Sequence, residues 1–167
     1  MQRALLIGIL AGSMLTCAAV RIIAQRPAAS PASSFDAVLR AVEAAQVELV
    51  NGRPAAFKAL WSHGDEVTLS GGLGGAIAKG WMQVSARLDW VATQYVEGSR
   101  THEEVSRCVG QDLAYVVLRE TIAFKSPADG RTMVQELRVT QIFRREAGQW
   151  RILHRHADSQ LAKGRTG

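Results

Sequence analysis

Residues 150–158, with the sequence WRILHRHAD, carry the clearest strand pattern in the chain, and the predicted fold is built outward from this strand. Apolar and polar residues alternate along this stretch, as they do in a β-strand that has one face on a hydrophobic core. Two basic residues, Arg151 and Arg155, share one face, which we expect to face solvent. The other face would then place His154 and His156 inside the protein.

Three earlier segments have the same two-residue period and predict strands at 101–109, 113–125 and 133–145. Short turns connect these segments, which predicts an antiparallel meander. A turn centred on residues 147–148 pairs His154 with Gln141 and His156 with Val139. The turn before it places Glu120 on the same inner face. A β-bulge in either hairpin would reverse this assignment.

Helical spacing dominates the first half of the predicted domain. A helix capped by Ser33 or Ser34 ends at Asn51, a short helix begins at Pro54, and the clearest apolar stripe begins after Gly80. A strand at 67–70 and a glycine-rich loop stand between the second and third helices. This order predicts an α+β fold, with three helices from the N-terminal half packed on one face of a strongly curved antiparallel sheet.

Composition and charge exclude several classes of protein. The chain has 167 residues, of which 47% are hydrophobic and 21% charged, which is typical of a globular domain and excludes a disordered chain. The formal net charge is +5, but basic and acidic residues are equal in number between residues 27 and 160. Because the predicted folded part is neutral, we expect no nucleic-acid partner.

The N-terminal composition predicts export. Residues 1–26 contain a basic start and a long apolar run, which is typical of a signal peptide or an uncleaved membrane anchor. Residues 27–34, PAASPASS, form a predicted linker to a domain at 35–160, and residues 161–167 form a basic tail. We expect a periplasmic or secreted protein that contacts a membrane only through residues 4–24, if the leader stays uncleaved.

Two blocks of sequence resemble a known family. The first is FKALWSHGDEVT at 57–68 with the glycine loop and the RLDW at 87–90, and the second is LRVTQIFRRE at 137–146 with GQWRILHRHAD at 148–158. Together they resemble a SnoaL-like domain of the nuclear transport factor 2-like superfamily. The resemblance implies a cone of helices and curved sheet around an apolar pocket. Since the superfamily contains isomerases, dehydratases, cyclases, hydrolases and non-catalytic association domains, it determines no activity.

The two histidines of the last strand admit three interpretations. Both rings lie on one side of a strand, so His154 and His156 could form structural hydrogen bonds, serve acid/base chemistry, or bind a metal with His63, Asp65 or Glu120. We expect no metal, because no third ligand has a recognisable spacing. If the protein is an enzyme, His154 and Asp65 are the candidate proton-transfer groups, and His156 is a pocket residue.

The other candidate residues are placed by the strand pattern and by the resemblance. The resemblance implies that His63 and Asp65 lie near the mouth of the pocket, although a turn before a strand would explain Asp65 equally well. Trp81 is a candidate wall of the pocket. Glu120 and Gln141 are polar residues of the inner surface, and a buried Glu120 must be paired, protonated or facing a cavity.

These observations lead to two functional hypotheses. The first is an exported domain that binds a small, largely apolar molecule, with isomerase, dehydratase or cyclase chemistry as an open option. The second is a non-catalytic module for ligand binding or oligomerisation. We expect no cofactor. An apolar patch on the outer sheet face, formed by Tyr115, Val117, Ile142 and Leu153, predicts a homodimer through the sheet.

Overall fold

Three helices precede most of the sheet in the computed structural model, which describes residues 35–159. The predicted leader, linker and basic tail lie outside the described residues. The helices are α1 (Phe35–Leu49), α2 (Ala55–Lys58) and α3 (Trp81–Ala92). No helix within residues 35–159 is long and apolar enough to cross a membrane.

Six strands form one open sheet in the described part of the chain. They are β1 (Thr68–Ser70), β2 (Ala78–Lys79), β3 (Val96–Val109), β4 (Leu113–Lys125), β5 (Thr132–Glu146) and β6 (Gln149–Ser159). Their order across the sheet is β2-β1-β6-β5-β4-β3. The predicted α+β fold and the meander of the four long strands are confirmed. The sheet is mixed rather than wholly antiparallel, because β1 runs parallel to β6.

Helix α1 lies across the inner face of the sheet because its apolar residues recur at helical spacing. The ring of Phe35 packs edge-on against Phe143 at 5.1 Å and Trp150 at 5.4 Å between ring centroids. At the other end, the Asn51 side chain donates to the Gly98 carbonyl oxygen and accepts from its N–H, at 2.8 and 3.1 Å. Position 98 requires glycine, since a Cβ there would collide with the Val50 carbonyl oxygen.

A β-bulge near the start of β6 changes the register of the last hairpin. Ile142 pairs with His154 and Phe143 pairs with Ile152, so Leu153 has no partner on β5. An unpaired residue moves every later side chain of its strand to the opposite face of the sheet. The hairpin register predicted from the sequence therefore holds only before the bulge.

The bulge overturns the predicted pairings of the two histidines. Arg155, not His154, is the partner of Gln141. Arg155 and Ala157 point inward and are buried, whereas His154 and His156 lie on the outer face. The predicted inward placement of both histidines is therefore wrong, and its cause is the one extra residue. The β4–β5 register was predicted correctly.

Candidate functional site

An inner hollow of about 50 Å³ lies between the helices and the inner face of the sheet. Most of its wall is aliphatic or aromatic, contributed by the three helices, the glycine loop and the sheet. The lining residues are Gln46, Leu49, Val50, Phe57, Leu69, Gly71, Gly72, Leu73, Leu88, Val91, Tyr95, Arg100, Glu120, Ile122, Leu137, Arg155 and Ala157. The hollow is therefore an apolar space with a small number of charged groups.

Those charged groups form an ion cluster of Arg100, Glu120 and Arg155. The Arg155 guanidinium makes two hydrogen bonds to the Glu120 carboxylate, at 2.7 Å (Nη2 to Oε2) and 3.1 Å (Nη1 to Oε1). Arg100 Nη2 donates to Oε1 at 2.6 Å. The side chains are only 3%, 0% and 9% exposed, in the order Arg100, Glu120 and Arg155, so water screens these charges little.

Both arginines keep Glu120 ionised. Burial alone would raise the pKa of this carboxyl group, but the attraction of Arg155 and Arg100 and their hydrogen bonds lower the pKa to about 2. The cluster therefore contains two guanidinium groups and one carboxylate, and carries one surplus positive charge. The requirement that a buried Glu120 be paired is met by these two residues.

A chain of hydrogen bonds connects the wall of the hollow to the glycine loop that covers it. The Tyr95 hydroxyl donates to Gln135 Oε1 at 3.0 Å, and Gln135 Nε2 donates to the Gly72 carbonyl oxygen at 2.9 Å. Burial raises the pKa of Tyr95 to about 12. Gly72 also sits so close to Leu137 that a Cβ would lie 2.6 Å from Leu137 Cδ2. The loop thus lies directly over the hollow.

The two histidines lie on the outer face, away from the ion cluster. His154 Nδ1 is 2.7 Å from Thr68 Oγ1 on the neighbouring strand. Burial and the nearby His156 lower the pKa of His154, against a smaller opposing effect of Thr68. His156 is exposed and lines an open surface groove of about 680 Å³ with Arg138 and Asp158. A proton-transfer role for His154 stays a prediction, but any such role would be on the outer face of the sheet and not in the inner hollow.

Three other candidate residues surround the start of α3 and do not line the inner hollow. The ring of His63 stacks on Trp81 with a centroid distance of 3.9 Å and an interplanar angle of 14°. Asp65 is exposed, and its neighbour Gly64 accepts a hydrogen bond from the Trp81 N–H at 3.1 Å. Within residues 35–159, no group of three or more His, Cys, Asp or Glu side chains could hold a metal ion.

Sequence reasoning placed four polar residues on the inner surface, was right for two of them, and missed two others. Glu120 and Gln141 are buried as expected, with 1% and 0% exposure. Arg155 was missed because the bulge was not predicted, and Arg100 was missed because β3 begins before the predicted strand at Thr101. The available signal was Glu120 itself, since a buried carboxylate requires a cationic partner.

Solved structures share this fold. A nuclear transport factor 2-like superfamily protein from Salmonella enterica has 16% identity, with 80% of this chain and 98% of that chain covered and a TM-score of 0.62. A ketosteroid isomerase-like protein from Erwinia carotovora atroseptica has 18% identity, coverage of 77% and 100%, and a TM-score of 0.61. The association domain of C. elegans CaMKII has 12% identity, coverage of 74% and 94%, and a TM-score of 0.54. At these identities the likeness shows the fold alone.

The family itself is shown by the sequence. A comparison with curated proteins found no match. The family profile of the SnoaL-like domain matches residues 36–161, which is most of the chain. The chain therefore belongs to the SnoaL-like domain family.

Proposed function

We propose that this chain binds a small molecule that has an apolar body and one anionic group. The observation that carries this proposal is the ion cluster of Arg100, Glu120 and Arg155 at the side of an otherwise apolar hollow. A buried charge without a counter-charge is costly. An anionic group would neutralise the surplus guanidinium charge, while the aliphatic wall would cover the rest of the ligand.

The size of the hollow limits the ligand. A volume of about 50 Å³ has room for only a few non-hydrogen atoms. A short-chain carboxylate such as propionate is therefore the probe that matches both the volume and the charge. A larger ligand would require the loop at 71–75 to move away from Leu137, and the backbone of that loop adopts positive φ at Gly74 and Gly75.

The titratable groups of the inner hollow favour binding over proton transfer. Among the described lining residues these groups are Tyr95, Arg100, Glu120 and Arg155. The pKa of Glu120 is about 2 and that of Tyr95 is about 12, so neither exchanges protons readily near neutral pH. These two pKa values support the non-catalytic hypothesis for the hollow over isomerase, dehydratase or cyclase chemistry.

The test is a titration of the purified full chain with propionate, followed by NMR chemical shifts. We expect saturable binding by the wild type and at least about tenfold weaker binding by Arg155→Met, because that variant leaves Arg100 and Glu120 as a neutral pair. Arg138→Met is the matched control, since its guanidinium is exposed on the outer face. Thermal unfolding of each variant shows whether it is folded. Equal affinities of all three folded proteins would contradict the proposal.

A homodimer through the outer face is the second proposed property. Tyr115 and Ile142 are cross-strand partners on that face, next to Val117, and Tyr115 is 41% exposed. Ion pairs flank this strip, including Arg119 with Glu103 at 3.2 Å. An apolar centre with a charged rim is the usual composition of a protein interface, and one structure of this fold is an association domain.

Light scattering after size-exclusion chromatography tests the dimer. We expect the mass of two chains for the wild type and of one chain for Tyr115→Glu, because two carboxylates would be buried at a two-fold interface. The control Ala56→Glu adds the same charge at an exposed position of α2, on the helical side of the sheet, and should stay dimeric. A wild type that has the mass of one chain would contradict the dimer.

Export is the third proposed property, and it rests on the apolar residues 4–20 behind Arg3. The full chain should reach the periplasm or the membrane of a Gram-negative host, whereas Ile7→Arg, which interrupts the apolar run, should keep it in the cytoplasm. The mass of the recovered chain distinguishes a cleaved signal peptide from an uncleaved anchor. Recovery of the wild type in the cytoplasm at full mass would contradict export.

A further inference from the structure

A second buried space, which we call the back compartment, lies between α1 and the inner faces of β3, β4 and β5. Its volume is about 30 Å³, and it is lined by Leu39, Val42, Glu43, Gln46, Arg100, His102, Glu104, Val116, Leu118 and Gln141. Gln46 and Arg100 also line the inner hollow, so the two spaces adjoin at these side chains.

Three residues that line the back compartment carry four buried polar atoms that have no hydrogen-bond partner in the described part of the chain. They are Oε1 and Nε2 of Gln141, Oε1 of Gln46 and Nε of Arg100. Gln141 is 0% exposed and Gln46 is 3% exposed. Because buried polar groups in proteins are almost always hydrogen-bonded, four such atoms around one space indicate that a polar group occupies it.

The two acidic residues of the compartment, Glu43 and Glu104, lie on its solvent side and already have partners. The Glu43 side chain is 53% exposed and stands 3.6 Å from His102 Nδ1, and Glu104 accepts a hydrogen bond from Arg107 at 2.7 Å. The unpartnered atoms belong to two side-chain amides and one guanidinium group. They include hydrogen-bond donors and acceptors, so they suit a ligand group that can both donate and accept hydrogen bonds.

We propose that the back compartment binds a hydroxyl group of the ligand whose anionic group lies at the ion cluster. This inference rests on the proposed function and specifies the ligand as a short hydroxy acid. A hydroxyl group donates one hydrogen bond and accepts two, and one oxygen atom fits a volume of about 30 Å³. Gln141 is the cross-strand partner of Arg155, and Arg100 borders both spaces. The carbon next to a carboxylate at the ion cluster is therefore the position from which we expect a hydroxyl group to enter the back compartment.

A matched pair of acids tests the inference. Lactate differs from propionate only by a hydroxyl group on the carbon next to the carboxylate, and both are titrated into the purified full chain. We expect the wild type to bind lactate about tenfold more tightly, since the hydroxyl satisfies atoms that are otherwise unpartnered. In Gln141→Leu the two acids should bind with equal affinity, at the propionate affinity of the wild type.

A glutamine control separates this subsite from a general effect of the substitution. Gln149→Leu removes an exposed amide on β6 and should keep the preference for lactate. Equal affinities of the wild type for lactate and propionate would overturn the hydroxyl subsite and leave the proposed anion site standing, with water as the occupant of the compartment. Binding of neither acid would overturn both proposals. The wild-type comparison requires no variant, so misfolding of Gln141→Leu cannot obscure it.

Discussion

The two faces of β6 carry basic side chains in opposite surroundings. On the inner face, Arg155 is buried against a carboxylate at the side of the hollow. On the outer face, His154 contacts a threonine hydroxyl and His156 is exposed. The unpaired residue Leu153 decides which of these side chains enters the core. Alternation along a strand therefore defines two sets of residues, and only the register against the next strand decides which set is buried.

Two ion pairs extend the comparison, because their geometry is nearly the same. The shortest distance is 2.7 Å in the Arg155–Glu120 pair and 2.6 Å in the Arg138–Asp158 pair. The inner side chains are 9% and 0% exposed, whereas the outer ones are 60% and 42% exposed. Water therefore screens the outer pair and not the inner pair, so we expect very different effects on stability.

Deletion of Leu153 should have the largest effect, because it removes the bulge. The later residues of β6 would change faces, which would move Arg155 to solvent and leave Glu120 buried with one partner fewer. We expect the free energy of unfolding to fall by at least about 3–5 kcal/mol, the usual effect of breaking a buried ion pair. Urea denaturation followed by tryptophan fluorescence measures it. Deletion of Ala128, which lies in an exposed turn, is the control and should be tolerated. Equal stability of the two deletion variants would contradict the role of the bulge in placing Arg155 inside the fold.

Replacement of Glu120 tests the inner pair alone and should have the next largest effect. Glu120→Gln leaves two buried guanidinium groups without a counter-charge, so we expect a loss of about 3–5 kcal/mol. The pKa of Glu120 is lowered from 4.5 to about 2 in the folded chain. Its contribution to stability is therefore complete above pH 4.5 and is lost as the pH falls toward 2.

Acid denaturation checks this dependence on pH. Between pH 4.5 and pH 2 the stability of the wild type should fall more steeply than that of Glu120→Gln, which has no carboxyl group to protonate. Parallel curves for the two proteins would show that Glu120 has the same pKa in the folded and unfolded chains. That result would contradict an ion cluster that is kept charged by its arginines.

The sequence could predict features that depend on spacing along one element or across one short turn. The pairing of Glu120 with Leu137 is confirmed, because alternation and turn length together determine it. The bulge could not be predicted, because Leu153 is apolar and would fit either face of the strand. The ion cluster could not be predicted either, because arginine is usually exposed and Arg155 was therefore assigned to the solvent face. Arg100 comes from a strand that starts earlier than its pattern indicates.

His154 should show a smaller effect of pH on the outer face. Burial and the neighbouring His156 lower the pKa of His154 below its usual 6.5. The unfolded chain therefore takes up a proton first, so the contribution to stability is present above pH 6.5 and is lost as the pH falls through the folded pKa. An NMR titration of the ring C–H signals should give a midpoint below 6.5 for His154. A midpoint at or above 6.5 would contradict the partial burial of His154 beside His156.

Asp158→Asn should have the smallest effect of all, although it removes a bidentate partner of Arg138. Both side chains of the pair remain hydrated in the folded chain, so pairing costs little solvation and gains little net attraction. We expect the urea midpoint to change by no more than the scatter between repeats, and 1 M salt to leave the difference between wild type and variant unchanged. A loss comparable to that of Glu120→Gln would mean that this pair is buried in solution, so that the proposed dimer interface extends from Tyr115 as far as Arg138. The same variant measured in Tyr115→Glu would then lose that effect, because the two carboxylates at position 115 would separate the chains and return Arg138 to water.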